Sequence, residues 1–495
     1  MSLSIHANMD VHSSINVPLP PPYNTKILQI LTLTFPSNGG SITINIINIT
    51  HNQIAQKGFS SIENKPQLWQ QHHDGAEKDP VFTHISNQNA VISDSAIDGI
   101  GNEKEIRDGL NTRVLPKRKG KQSWLKMMGK CDIFDGKWVK DDSSPLYQPG
   151  SCPLMDESFN CYQNGRPDNG YEKFKWQPNH CNIPRLDGAK ILKFLKGKRI
   201  VYVGDSLNRN MWESMVCLLR NSVKNKSRVF EASGKSEFKK EGTYSFLFTD
   251  YNFSAEYIRS AFLVQEWEMP INNGSKKETL RLDMVEKSYD SYKDADVLVF
   301  NTGNWWTHEK TSQGKGYYQE GNHVHEKLDV VEAFDKAMAT WARWIEANID
   351  PSKTRVFFRG YSFSHFSKGE WNSGGRCDSK EPIKDEKDLL SLGELSPPIP
   401  QMLDKAMERV KTSVFYLNVT KMTNYRRDAH PSIYRKPNMT QEEKHVFQTQ
   451  QDCSHWCLPG VPDTWNQLLF AQLLLSDKQR QSKQKRYGKT GTLVD

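Results

Sequence analysis

Arg199-Ile200-Val201-Tyr202-Val203 runs directly into Gly204-Asp205-Ser206, and the reading of this stretch decides the fold. A short uninterrupted apolar run is the pattern of a strand buried on both faces, as in a parallel sheet. Glycine at the strand end permits a sharp turn. That turn lifts Ser206 clear of the sheet, and Met211, Met215, Leu218 and Leu219 recur at helical spacing just beyond it. The backbone N–H of Ser206 then lies at a helix N-terminus, where the first amides have no intrahelical partner.

Further along the chain the pattern repeats. Ala295 to Phe300 leads into Asn301-Thr302-Gly303-Asn304, Thr354 to Phe358 into Arg359-Gly360-Tyr361-Ser362, and Ser413 to Leu417 into Asn418. Amphipathic stripes separate these runs: Phe334, Met338, Trp341 and Ile345, then Leu403, Met407 and Val410, and last Trp465, Leu468, Leu469 and Leu473. Strands alternating with helices predict an α/β domain over 186–475, a central, mostly parallel sheet in a three-layer sandwich. In such sheets function collects at the carboxyl ends of the strands. Residues 130–185 hold four cysteines and many aromatics with little regular pattern, and read as a small disulfide-rich module. Residues 1–125, with Leu19-Pro20-Pro21-Pro22 and many Asn, Ser and Gln, read as a disordered or linker segment. Residues 476–495 read as a basic polar tail.

Composition excludes some functions. Apolar residues make up 36% of the 495-residue chain, and a mean hydropathy of −0.70 argues against a membrane-embedded protein. The net charge of +8 is carried by two flanks, Lys117 to Lys121 and the tail from Ser476. The remainder is near neutral, so no basic groove for nucleic acid is expected. All eight cysteines (Cys131, Cys152, Cys161, Cys181, Cys217, Cys377, Cys453 and Cys457) lie outside paired CxxC metal spacing. An even number in that pattern suits up to four disulfides in an oxidising compartment. The sequons at Asn48, Asn225, Asn252, Asn273, Asn418 and Asn438 point to a glycoprotein. No signal peptide or anchor is read at the start, because the best apolar run, Ile27 to Phe35, is short and broken by Gln29, Thr32 and Thr34.

The chemistry needs a second element. A serine hydroxyl is a weak nucleophile without a base in reach, and an imidazole base needs a carboxylate to hold its tautomer. Asp452-Cys453-Ser454-His455 supplies both from one short segment just before the last helix. Ser206, His455 and Asp452 are therefore the expected nucleophile, base and orienting acid. Arg209 is read either as a substrate-orienting cation or as a residue salt-bridged to its neighbouring helix. Trp305, Trp306 and Trp371 are candidates for stacking on sugar rings, with at least one of them in the core. His323 and His325 lack a third ligand at zinc spacing, so no metal is expected. His430 is read as shaping its loop.

A strand–Gly-Asp-Ser–helix early in the domain and Asp-x-x-His before its last helix resemble the GDSL/SGNH esterases. The likeness narrows over longer stretches: Cys131-Asp132-Ile133-Phe134-Asp135-Gly136-Lys137-Trp138-Val139, Gly204 to Asn210, Phe300-Asn301-Thr302-Gly303 with Trp305-Trp306, His365-Phe366 through Gly374-Gly375-Arg376-Cys377, and Asp452 to Pro459. These resemble the plant trichome-birefringence-like family of polysaccharide O-acetyltransferases, from about Cys131 to Leu475. The resemblance implies transfer of an acetyl group, through an acetyl-serine, to a cell-wall polysaccharide such as pectin or xylan. It implies no bound cofactor, an acetyl donor as co-substrate, and a Golgi lumenal setting, where members usually carry an N-terminal membrane anchor that is not evident here. By the same analogy Cys131–Cys181 and Cys152–Cys217 are the first pairings to expect. It also suggests the Gly303-Asn304 loop as a second oxyanion donor, although the family often has His where this chain has Asn304.

Two rivals use the same residues differently. Water in place of a sugar hydroxyl would make the protein a polysaccharide acetylesterase. A non-catalytic protein that binds and bridges pectin, maintaining its esterification, would have no need of Ser206, Asp452 and His455 together.

Overall fold

The computed structural model describes residues 15–18, 26–37, 40–51, 125–235, 242–270, 274–391 and 398–490. The chain divides into two units, Met1–Leu110 and Asn111–Asp495.

Of the segment read as linker, only three short stretches are described, and the rest lies outside the described residues. Ile15–Pro18, Lys26–Ser37 and Gly40–His51 form an antiparallel three-stranded sheet, with Lys26 opposite His51 and Ser37 opposite Gly40. The apolar run examined as a possible anchor lies within the second of these strands. Its Thr and Ile content favours extended backbone, a signal hidden by the Asn and Ser around it.

The second unit is built on a seven-stranded sheet. In chain order its strands are β1 Arg199–Gly204, β2 Val229–Glu231, β3 Thr243–Phe248, β4 Phe253–Arg259, β5 Val297–Phe300, β6 Arg355–Arg359 and β7 Val414–Leu417. Their spatial order is β7-β6-β5-β1-β4-β3-β2. The five strands from β7 to β4 are mutually parallel, and β3 and β2 extend the sheet antiparallel. The helices that cover it are α1 Ser206–Asn221, α2 Val330–Asn348, α3 Pro398–Arg409 and α4 Val461–Thr490.

Strand alternation sorts the core into two layers. Ile200 and Tyr202 of β1, Val297 and Val299 of β5, and Phe357 of β6 pack with Met211, Trp212 and Met215 of α1 and Trp465 and Leu468 of α4. Their neighbours Val201, Val203, Leu298, Phe300, Val356 and Phe358 pack with Phe334, Met338 and Trp341 of α2 and Leu403 of α3. Both faces of the sheet are thus apolar, which is why these strands read as unbroken hydrophobic runs. A four-stranded sheet, in the order Val264–Pro270, Lys276–Val285, Tyr318–Glu320 and His323–Val324, adds Leu280, Leu282 and Tyr318 to the second layer.

The cysteine-rich stretch shares the first of these cores. Its hairpin pairs Gly136–Lys140 with Phe174–Pro178, while Ile133, Phe159, Tyr171 and Trp176 join the same buried cluster as α1 and α4. All eight cysteines are bridged: Cys131–Cys181, Cys152–Cys217, Cys161–Cys457 and Cys377–Cys453. The first two are the pairs that the resemblance implied. The segment read as a basic tail also differs, since α4 continues through it to Thr490. Ser476 is buried, and Asp477 meets Arg355 at 3.1 Å. Of the sequons, Asn225, Asn252 and Asn438 are exposed, and Asn273 lies outside the described residues.

Candidate active site

β1 leads through α1 to β4 on one side, after which the chain returns to β5 on the other side of β1. The strand order reverses at this point, and an open α/β sheet leaves a crevice outside the carboxyl ends of the two strands there. Gly204 and Asn301 face each other across it. A Cβ on Gly204 would lie 1.9 Å from Asn301 Oδ1, so only glycine fits. Asn301 accepts a hydrogen bond from Asp205 N (3.1 Å) and donates one to Asp205 Oδ1 (2.7 Å). Asp205 caps α1, accepting from Leu207 N at 2.9 Å. The cap holds the first turn of α1 in register, and Ser206 is its first residue.

His455 comes to that serine from 249 residues away, with Nε2 2.7 Å from Ser206 Oγ. Its other nitrogen, Nδ1, donates to Asp452 Oδ2 at 2.8 Å. With the Nδ1 proton directed at the carboxylate, Nε2 is free to accept from the serine hydroxyl. Asp452 Oδ1 takes the backbone N–H groups of Ser454 (3.2 Å) and His455 (3.0 Å). Burial would raise the Asp452 carboxyl, but the His455 ring, these hydrogen bonds and Arg435 at 4.0 Å together hold it far below the usual carboxylate range. Asp452 therefore stays ionised. The His455 side chain keeps 24% of its surface exposed, so the pair is open to a ligand.

The loop that carries His455 is fixed from four directions. Cys161–Cys457 and Cys377–Cys453 tie it to the cysteine-rich stretch and to the 367–377 segment. Ser432 and Asp452 exchange backbone hydrogen bonds (2.9 and 3.0 Å). Asn210 of α1 brackets the Trp456 backbone, accepting from its N–H at 2.8 Å and donating to its carbonyl at 3.1 Å. His430 Nδ1 donates to His455 O at 2.7 Å, and its ring stacks on Trp456 with centroids 4.2 Å apart. Burial lowers His430 to about 4 and His365, 2.7 Å beyond it, to about 3. His430 thus supports the loop.

Cys161–Cys457 closes 296 residues of chain. In the loop-entropy picture such a bridge is worth about 5 kcal/mol. Cys161→Ser with Cys457→Ser is expected to lower Tm by well over 5 °C, and activity should fall more than the loss of folded protein explains, because His455 is two residues from the bridge. Calorimetry beside rate measurements at a temperature where the variant is folded checks both effects.

Arg209 is ion-paired within its own helix and to the cysteine-rich stretch. It meets Asp156 at 2.9 Å and Glu213 at 3.8 Å and lies over Phe159, whose ring packs against His455 at 5.2 Å. These contacts place it in the wall behind the histidine ring. Burial pushes Glu213 up to about 8, only partly opposed by Arg209, and likewise raises Asp463 to about 7. A carboxyl raised in the folded state gives stability that is complete below its unfolded pKa and is lost as pH rises through the folded one. Both groups thus favour the folded state at pH 5 over pH 8. Glu213→Gln keeps an acceptor for Asp156 N, which now donates to Glu213 Oε2 at 2.8 Å. This variant should lose several degrees less Tm than the parent between pH 5 and 8, as melting curves across that range will show.

The remaining candidates separate. Asn304 donates from Nδ2 to Ser362 O (2.9 Å), so that proton is committed to the neighbouring loop. Gly303 takes φ 124° beside Ile399 and Tyr361, a conformation that glycine alone adopts with ease. Trp306 is 2% exposed, bonds Thr302 Oγ1 and packs on Phe334: it belongs to the core and is not open to a sugar. Trp305 is half-buried under Lys310, whose Nζ lies 4.2 Å from its ring centroid. Trp371, 43% exposed, keeps an open surface. The sequence reading missed Asp205 and Asn301 as a bonded pair, Arg359 buried beside them (3.8 Å from Asp205), and Lys310. The first three sit at strand ends, where position gave a signal; Lys310 lies in a loop with none. Among the described residues no group of three or more His, Cys, Asp or Glu is placed to hold a metal.

A parallel sheet with a serine at the end of its first strand, joined to an Asp-x-x-His pair ahead of its last helix, defines an SGNH-like acyl-esterase fold. The family model described as "GDSL/SGNH-like Acyl-Esterase family found in Pmr5 and Cas1p" matches residues 183–472, and that of the "PMR5 N terminal Domain" matches 129–182. Protein trichome birefringence-like 1 of Arabidopsis thaliana is 55% identical over 385 residues, 76% of this chain and 68% of that protein. Protein trichome birefringence, from the same plant, is 55% identical over 366 residues, 74% of this chain and 60% of its own length. Protein trichome birefringence-like 6 is 40% identical over 461 residues, covering 91% and 93%. The chain belongs to the PC-esterase family, among its trichome birefringence-like members.

Proposed function

We propose that the protein is a polysaccharide O-acetyltransferase that works through an acetyl-serine. The observation that carries this reading is the continuous chain of hydrogen bonds from Ser206 through His455 to Asp452 at the carboxyl edge of the sheet. His455 Nε2 takes the Ser206 hydroxyl proton as Oγ attacks the acetyl carbonyl of the donor. The tetrahedral intermediate then collapses, the imidazolium gives its proton to the leaving group, and acetyl-Ser206 remains. A sugar hydroxyl enters next and loses its proton to His455. Its oxygen attacks the acyl carbon, the new ester leaves, and the proton returns to Ser206. The Ser206 N–H at the start of α1 is the first oxyanion donor, with the Gly303-Asn304 loop as the source of a second.

A cell-wall polymer, pectin or xylan, is the proposed acceptor, and the lumen of the Golgi the proposed setting. Four disulfides agree with an oxidising compartment. Among the described residues no helix is long and apolar enough to cross a membrane.

Membership of a family described as acyl-esterases favours hydrolysis as the second reading. Incubation with an acetyl donor and de-acetylated pectin and xylan oligomers separates the two. Transfer gives oligomers heavier by one acetyl group in mass spectra; hydrolysis gives free acetate and no heavier oligomer, and that result would displace the proposal.

A further inference from the structure

Lys310 has an unusual setting for a cation. Its Nζ lies 4.2 Å from the Trp305 ring centroid and 5.4 Å from that of Trp371. Both rings attract the ammonium through their π faces. Among the described residues it has no carboxylate within ion-pair distance.

Two separate parts of the site hold it there. Trp305 and Lys310 belong to the loop that leaves β5, where Lys310 N donates to Thr307 Oγ1 at 3.3 Å and Trp306 N to Gly303 O at 3.1 Å. Trp371 belongs to the 367–377 segment, closed by the Ser367–Arg376 bridge and fastened by Cys377–Cys453 to the loop of Asp452 and His455. Desolvation lowers Lys310, opposed by the charges of Asp205 and Asp452. Arg259, paired with Glu266 at 3.6 Å, lies 5.4 Å from the Trp305 ring and adds to the positive character of this wall.

An ammonium beside an exposed indole suits a ligand with an anionic group on a ring that has an apolar face. A neutral pyranose would use the indole and leave the cation idle. We propose that Lys310, with Trp371, forms an acceptor subsite that recognises the carboxylate of a uronic acid unit next to the hydroxyl being acetylated, making Lys310 the residue that selects acidic over neutral polysaccharide. This rests on the acetyl-transfer reading for its role in turnover, though not for binding itself.

The test keeps the two apart. Binding is measured by titration calorimetry on Ser206→Ala protein, with oligogalacturonate and with the same oligomer reduced at its carboxyl groups. The acidic oligomer should bind at least ~10-fold more tightly, the size expected of one charge-assisted contact. Lys310→Gln should erase that preference and Lys310→Arg restore most of it, with both variants melting like the parent. In turnover by otherwise unaltered protein, Lys310→Gln should raise KM for the acidic acceptor ~10-fold, with kcat and the neutral acceptor's KM within about twofold. Equal affinity for the two oligomers, or a preference that survives Lys310→Gln, overturns the proposal. So does a rise in KM for the acetyl donor alone, which would assign the lysine to the donor. Should acetate release replace transfer, the calorimetric difference still decides the matter.

Discussion

Ser206→Ala protein should be folded and inert: kcat is expected to fall by ~10⁴-fold or more while Tm and circular dichroism stay at parental values. The hydroxyl is half-exposed and, among the described residues, its side-chain partner is His455 Nε2 at 2.7 Å, so its removal opens no cavity and orphans no buried donor. His455→Ala should be as severe, and the double variant little worse than either single one, because the two act as a unit. Asp452→Asn isolates the third member. An amide in place of the carboxylate offers N–H toward Nδ1 and favours the wrong tautomer of His455, so a loss of about 10⁴-fold is expected at neutral pH. It also removes the ionised acceptor of the Ser454 and His455 amides, and a fall in Tm should accompany the fall in rate. Mass spectrometry after rapid mixing with donor supplies the independent readout. The parent should gain one acetyl group on the peptide bearing Ser206, and Ser206→Ala none. Retention of near-parental turnover by Ser206→Ala would sink the serine mechanism whatever the polymer.

Much of this site was legible because its parts lie where sequence pattern is strongest. β1, β5 and β6 are buried on both faces, so they read as unbroken apolar runs, and the residues at their ends fall at the sheet's carboxyl edge without further information. Asp452 and His455 share a short segment, and their contact is local. What was hidden depends on distance. The cysteine-rich module was legible as a unit, but its pairing of Gly136–Lys140 with Phe174–Pro178 was hidden because cysteines and aromatics mask the alternation, and so was the packing of Trp176 and Phe159 into the core beneath α1. β3 was missed although Tyr244, Phe246 and Phe248 alternate with less buried neighbours. An edge-side antiparallel strand carries half the apolar signal of a central one. Trp305 and Trp306 are adjacent and chemically identical; only the loop turn after Gly303 puts one in the core and the other beneath a lysine. The basic composition after Ser476 suggested a free tail, whereas Arg355 of β6 recruits Asp477 and the helix continues. Charge in a helix-forming sequence does not by itself end a helix.

Asp205 links the nucleophile to the buried interior, and its replacement should unfold the protein more readily than any change to the serine. Asp205, just after β1, and Arg359, the last residue of β6, are both wholly buried and 3.8 Å apart, with β5 lying between their strands. Arg359 donates from Nη1 to Gly360 O (2.7 Å) and lies over Trp465, but its Nε and Nη2 and the Asp205 Oδ2 have no hydrogen-bond partner among the described residues. Charge attraction without full hydrogen bonding therefore has to offset two desolvations, and the strain shows in the arginine, lowered by burial to about 10. Asp205→Ala would leave that guanidinium without its counter-charge and strip the cap from α1 together with the bonds to Asn301. Breaking a buried pair from one side costs about 3–5 kcal/mol, with about 1 kcal/mol more for the cap. Asp205→Asn keeps the cap acceptor and removes only the charge, so it should sit between Asp205→Ala and the parent in denaturant midpoint. Arg359→Met added to Asp205→Asn removes the orphaned cation as well and should recover much of the stability, since replacing both partners by groups of similar volume is often neutral. A double-mutant cycle in urea measures the coupling directly. If Arg359→Met fails to relieve Asp205→Asn, the pair is held by the surrounding backbone and not by charge. If it does relieve it, activity decides the rest: recovered stability with lost turnover would mean that the ionised Asp205 sets the pose of the first turn of α1, and with it the reach of Ser206 Oγ toward His455.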